Sequence, residues 1–154
     1  MLRKFIAFAL LLVIAVSCSE EEATDYGPID QKIIEDYIAA HGIANAQSTA
    51  SGLYYVIYEP GGTNHPTEKS SVSANYKGYL TDGTIFDSSY PKGKPSELDL
   101  AAVVAGWREG MQLIGVGGKI QLFVPSELGY GSSAVNIIPA NSVIIFDVEM
   151  VDFY

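Results

Sequence analysis

Val72-Ser73-Ala74-Asn75-Tyr76-Lys77-Gly78-Tyr79-Leu80, followed by Asp82-Gly83 and Thr84-Ile85-Phe86, decides the fold of this chain. Val72, Ala74, Tyr76 and Gly78 alternate with Ser73, Asn75, Lys77 and Tyr79, the period-two pattern of a strand with one face on a core. Asp-Gly favours a tight turn, so Thr84-Ile85-Phe86 is read as the returning arm of a hairpin. Working outward, residues 53–58 are dense in β-formers and stop at Pro60-Gly61-Gly62. Residues 119–124 carry Ile120, Leu122 and Val124 on one face. Residues 142–153 form the longest candidate strand, with Val143, Ile145 and Asp147 opposing Ile144, Phe146, Val148 and Met150. A single short helical signal, residues 103–113, lies among them. Several strands and one short helix predict an α+β domain, a bent antiparallel sheet folded over a helix. The connections at 88–97 and 129–141 are long for hairpins, and long ordered loops often carry function.

Composition narrows the function classes. The 154 residues suffice for one domain plus a short attachment. With 48% hydrophobic and 18% charged residues, a sizeable core is expected and wholesale disorder is not. The net charge of -9, from 18 acidic and 9 basic residues, repels phosphate backbones and argues against nucleic acid as a partner. Cys18 is the one cysteine, so an intrachain disulfide and a cysteine zinc cluster are excluded. His41 and His65 are too few for a histidine-rich metal site, and no cofactor is expected.

The first residues read as an export signal. Arg3-Lys4 precedes an unbroken apolar run of twelve residues, Phe5 to Val16, and Ser17-Cys18 follows. That is shorter than the roughly 17–25 residues of a membrane span and matches the n- and h-regions of a signal peptide. A buried core helix is the alternative. Ala15-Val16-Ser17-Cys18 resembles a bacterial lipoprotein processing site, with alanine where leucine is commonest. The resemblance implies cleavage after residue 17 and lipidation of Cys18, which accounts for an unpaired thiol in an exported chain. Ser19-Glu20-Glu21-Glu22 resembles the acidic surface-export tag of Bacteroidetes lipoproteins, and also reads as a solvated tether. The implied location is the cell envelope of a Gram-negative bacterium, lipid-anchored to the outer membrane and facing the periplasm or the exterior.

Residues 18–50 read as an acidic tether with one amphipathic helix, and 51–154 as the folded domain. Loss of 1–17 removes Arg3 and Lys4 and no acid, leaving 18 acids against 7 bases, or -11. Anionic lipid headgroups repel such a chain. Ile33, Ile34, Tyr37 and Ile38 recur at helical spacing over residues 30–43, with Ile29 adding a turn. Asp30 is suited to cap the first turn and Gly42 to end the helix. So short a helix needs a partner for its apolar stripe. Docking on its own domain and dimerisation both satisfy that need. His41 reads as a surface or capping side chain.

A specific family enters through spacing. The chain has Tyr76, Gly78, Asp82-Gly83, Phe86-Asp87-Ser88-Ser89, Val103-Val104-Ala105-Gly106-Trp107 and Glu109-Gly110-Met111. Leu128-Gly129-Tyr130-Gly131, Ile138-Pro139-Ala140-Asn141 and Phe146-Asp147-Val148-Glu149 follow in order. Over about 80 residues, from Val72 to the last residue, this resembles the FKBP-type peptidyl-prolyl isomerases. The resemblance implies a sheet wrapped around a short helix and a site for proline-containing polypeptides. Trp107 matches the indole floor under the proline ring; Tyr76, Phe86 and Phe146 match the walls. Val103 and Val104 match the helix-entry pair, with the Val104 N–H as donor to a substrate carbonyl. Tyr130 matches a hydroxyl donor, Asp87 an acid near the rotating amide, and Ile138 an apolar lip. Each aromatic also reads as ordinary core, Asp87 as a turn cap, and Tyr130 as a turn residue packed between glycines.

The chemistry suits such residues. Peptide C–N rotation has a barrier of roughly 20 kcal/mol because it breaks amide conjugation. The twisted amide is less charge-separated than the planar one, so a dry aromatic basin favours it without nucleophile, metal or acid–base pair. Departures from the family pattern are Ser96 where phenylalanine is common, Leu98 at the next aromatic position, and Val104 for isoleucine. Ala134 and Asn136 stand in a slightly shortened loop where a histidine is familiar. These predict a wider, less aromatic pocket and weaken the expectation of macrolide binding. Two functions follow: an isomerase for exported proteins, or a proline-recognising binding or chaperone module.

Overall fold

The computed structural model describes residues 24–154. The signal peptide, Cys18 and the Ser19–Glu22 tag lie outside the described residues. Seven strands form one antiparallel sheet: β1 (Gln47–Ser48), β2 (Tyr54–Glu59), β3 (Ser71–Leu80), β4 (Ile85–Ser88), β5 (Ser96–Asp99), β6 (Lys119–Val124) and β7 (Ile144–Phe153). Their order is β1-β2-β6-β7-β3-β4, with β5 also paired to β3. β3 is therefore central: β7 runs along one edge, while β4 and β5 share the other. A register shift between Ser73 and Ala74, where β3 meets β7, marks a bulge, a feature that bends and twists a strand.

Two helices cover opposite faces. α2 (Ala105–Met111) lies in the concave face, over β6. Gly106 and Gly110 make that approach possible, because a Cβ on Gly106 would come 2.6 Å from Val124 and one on Gly110 would overlap Leu122. The main core gathers here: Val72, Ala74, Tyr76, Trp107, Met111, Leu122, Phe146 and Val148 among others. α1 (Gly27–Ala40) lies on the outer face, where Ile34 packs with Val56, Tyr79, Phe123, Val143 and Ile145. The two sides of β7 divide as its alternation predicts: Ile144, Phe146, Val148 and Met150 inward, and Ile145, with Val143 just before the strand, outward. No described helix is long and apolar enough to cross a membrane.

α1 departs from expectation at its start. It begins at Gly27, with Pro28 in the first turn, and the Asp25 carboxylate accepts the Gly27 N–H at 3.0 Å. Asp30 does not cap its own helix; it is fully buried against Ser126 of a distant 3₁₀ turn. The helix ends as expected. Gly42 has φ +59°, and the Ile43 and Gly42 N–H groups bond Ile38 and Ala39 carbonyls, a Schellman closure. His41 stacks on Tyr37 at 3.9 Å, a surface role. Of the apolar stripe, Ile34, Tyr37 and Ile38 are used in docking within the chain, and Ile29 and Ile33 remain exposed. β1 lies ahead of residue 51, so the folded body begins before the boundary read from the sequence.

Candidate active site

A cavity of about 210 Å³ opens between β3, β4, the start of α2 and the 129–141 loop. Tyr76, Asp87, Val103, Val104, Trp107, Tyr130 and Phe146 line it, together with Leu98 and Ala102. Seven of the nine residues expected from the sequence thus share one hollow. Its volume lies below the roughly 300–1,000 Å³ of drug-sized ligand sites and suits one ring with its flanking amides. A larger hollow of about 420 Å³ lies at the start of α1. Gln31, Ser48, Thr49 and Ser51 border it together with Pro28, Ala50 and Pro125, and Tyr54 is its sole aromatic, so it lacks the aromatic cluster of the smaller cavity.

Local sequence explains each placement. Alternation along β3 turns Tyr76 inward, where its ring meets Trp107 edge-on at 5.6 Å. Trp107 sits in the first turn of α2 and meets Phe146 of β7 at 6.0 Å. Phe86 and Phe146 form a perpendicular pair at 5.6 Å. Gly78 of β3 leaves room for both rings, since a Cβ there would come 2.7 Å from each. Such edge-to-face pairs add about 0.5–1.5 kcal/mol each beyond burial. Phe86 stands behind the cavity, buttressing Phe146 rather than touching the open space.

The polar groups are few and directed. Tyr76 donates its hydroxyl to Asp87 Oδ2 at 2.6 Å, and the Ser88 N–H donates to Oδ1 at 2.8 Å. Burial, followed by the bond to Asp87, pushes the Tyr76 phenol far above its ordinary value. Burial and then the negative charge of Asp87 raise the Tyr130 phenol as well. Both phenols are therefore protonated donors at neutral pH. The Val104 carbonyl accepts the Trp107 and Arg108 N–H groups at 3.0 and 3.1 Å, so Val104 caps α2 and its own N–H stays outside the helix ladder. Trp107 Nε1 is buried beside the cavity without a hydrogen-bond partner.

Ile138 does not line the cavity. It is buried, 4% exposed, within the core, and its neighbour Ile137 is the exposed one. Val135 and Ile138 form a bridge that fixes this parity, which loop sequence does not encode. Ala102 was missed; Asp99 sets its turn by accepting the Ala101 N–H at 2.9 Å, and an aspartate three residues upstream is the available signal. Arg108 was also missed. Its guanidinium bonds the carbonyls of Leu100, Ala101 and Val103 at 2.8, 3.1 and 3.3 Å, clamping the segment that carries Ala102 and Val103.

The hollow is floored by aromatic rings, holds a few fixed donors and lies between a bent sheet and a short helix. The family model for FKBP-type peptidyl-prolyl cis-trans isomerases matches residues 62–151, more than half the chain, and the chain belongs to that family. It is 50% identical over 105 residues to the FKBP-type peptidyl-prolyl cis-trans isomerase FkpA of Buchnera aphidicola subsp. Schizaphis graminum, covering 68% of this chain and 42% of that one. It is 39% identical over 133 residues to FkpA of Escherichia coli K12, covering 86% and 48%. The chain thus spans less than half the length of these relatives. The crystal structure of Escherichia coli FkpA superposes with TM-score 0.73 at 40% identity, covering 79% of this chain and 57% of that one. A peptidyl-prolyl isomerase from Pseudomonas syringae gives TM-score 0.69 at 25% identity, covering 86% and 98%.

Proposed function

We propose that the chain accelerates cis/trans exchange at X–Pro bonds of exported polypeptides by giving the twisted amide an apolar, water-poor seat. The observation that carries this reading is the gathering of Trp107, Tyr76, Phe146, Asp87 and Tyr130 around one small hollow. The proline ring lies over Trp107. The preceding carbonyl turns toward Asp87 and the aromatic walls, and the next carbonyl out meets the Val104 N–H or the Tyr130 hydroxyl. Asp87 is held by Tyr76 and the Ser88 N–H, so it shapes the field around the rotating bond without transferring a proton. Family membership supports the reaction class.

Location and anchoring belong to the same reading. The basic start, the apolar run and the lone cysteine support lipidation at Cys18 and an envelope setting. In a bacterial host, the wild type should incorporate labelled fatty acid and Cys18→Ala should not. A mature chain with a free Cys18 thiol would refute the anchor.

A peptide series differing only before proline tests the chemistry. An apolar residue dries the site, and Asp87 at the rim opposes a second carboxylate. Leu-Pro and Phe-Pro peptides should therefore exchange faster than Glu-Pro. Equal acceleration of all three would contradict the apolar-seat mechanism.

A further inference from the structure

Asp30 is fully buried on α1, and the chemistry above makes no use of it. Its Oδ2 accepts the Ser126 N–H at 2.8 Å and the Ser126 hydroxyl at 2.6 Å, while Oδ1 has no partner. A carboxylate out of water is costly unless donors meet it, and an apolar residue such as Ile34 would suffice merely to seat the helix. What Ser126 does next is informative. It opens the 3₁₀ turn Ser126–Leu128, and its carbonyl accepts both the Gly129 N–H at 3.0 Å and the Gly131 N–H at 2.8 Å. Those two residues flank Tyr130. The Gly131 carbonyl in turn accepts the Asn141 N–H at 2.8 Å, closing the base of the 129–141 loop. A continuous set of hydrogen bonds therefore runs from the N-terminal helix to the backbone on either side of Tyr130, whose side chain lines the cavity.

We propose that Asp30 is a positioning residue for Tyr130: by fixing Ser126 it sets the Gly129–Gly131 turn and aims the Tyr130 hydroxyl into the cavity. α1 is then part of the support of the active site as well as the start of the folded body. The inference rests on the isomerase reading for its effect on rate, but its structural half stands apart from that reading.

A double-mutant cycle on the full chain separates positioning from general destabilisation. Asp30→Ala should lower kcat/KM roughly three- to ten-fold, the scale of one displaced hydrogen bond. In a Tyr130→Phe background the same change should cost less than about two-fold, because no hydroxyl remains to aim. Asp30→Asn, which keeps an acceptor for Ser126, should recover most of the loss. Val56→Ala, on the outer core, should lower stability and leave kcat/KM unchanged. Losses from Asp30→Ala and Tyr130→Phe that multiply would overturn the proposal. Ser126→Ala removes the hydroxyl donor alone and replaces Asp30→Ala in the cycle should that variant not fold. Nuclear magnetic resonance provides the readout that needs no turnover. The Gly131 amide and Tyr130 ring signals should move in the Asp30 variant while the Trp107 Nε1 signal stays. Unmoved Gly131 and Tyr130 signals would refute the positioning role whether or not the wild type is active; an inactive wild type with moved signals would refute only the isomerase reading.

Discussion

The two faces of the sheet carry nearly the same chemistry three residues apart on β3, and they put it to opposite ends. On the concave face, Tyr76 donates to Asp87 beside an open cavity. On the outer face, Tyr79 donates to Asp147 at 3.2 Å, Gln121 donates to both Asp147 and the Tyr79 hydroxyl, and Lys77 pairs with Asp147 at 3.0 Å. The outer carboxylate is thus matched by a cation and an amide, and α1 covers the apolar ground beside it. The inner carboxylate has no paired cation among the described residues. Trp107 Nε1, buried without a hydrogen-bond partner, also belongs to the inner face. A tyrosine–aspartate pair is structural where its network closes and available to a ligand where it stays open.

The largest effect should come from breaking the inner face. Trp107→Ala removes the floor; kcat/KM should fall at least about a hundred-fold, equivalent to about 2.7 kcal/mol. Stability should fall by about 3–5 kcal/mol, read by denaturant unfolding. Trp107→Leu keeps an apolar filler and separates the two losses: it should regain more stability than activity. On the outer face the pattern should invert. Val56→Ala should cost about 1–3 kcal/mol of stability with kcat/KM of the folded protein unchanged. Equal losses of activity from the two faces would erase the distinction between them.

Finer tests sharpen it. Tyr130→Phe removes one hydrogen bond, worth about 0.5–1.5 kcal/mol, so kcat/KM should drop less than about twenty-fold while the melting temperature holds. The smallest effect concerns pH. Burial is the main cause raising the phenols of Tyr76 and Tyr79 above the ordinary value of 10.0, so both lose a proton less readily folded than unfolded. Their stabilisation is complete below pH 10 and is lost as pH rises past it. Thermal unfolding between pH 8 and 11 should show this fall, and Tyr79→Phe should make it shallower. An unchanged slope would mean that the outer tyrosine does not titrate through the fold.

Local pattern explains what was legible beforehand. β3, β6 and β7 each carry apolar residues at every second position, and α2 holds Gly106, Trp107 and Gly110 at helical spacing, so sequence and structure agree there. β1 and β5 are short and mostly polar, with Gln47-Ser48 and Ser96-Glu97 giving no period to read. Tyr76, Phe86, Trp107 and Phe146 could be placed together beforehand because each lies on a regular element, whereas Tyr130 lies in a turn. Ile138 does not line the cavity, and the Val135–Ile138 bridge, not a strand period, accompanies its turn into the core. Asp30 was misread as a local cap because its partner, Ser126, lies 96 residues away, and no helix-start rule reaches that far.

Exchange spectroscopy on a Leu-Pro peptide, with the full chain present at a small fraction of the peptide concentration, tests the central claim most directly. The open inner face should speed cis/trans exchange well above the uncatalysed timescale of roughly 10–100 s. That acceleration should persist in Val56→Ala and collapse in Trp107→Ala. Peptide signals that titrate on binding while the exchange rate stays at its uncatalysed value would contradict the account and leave a proline-recognising module in place of an isomerase.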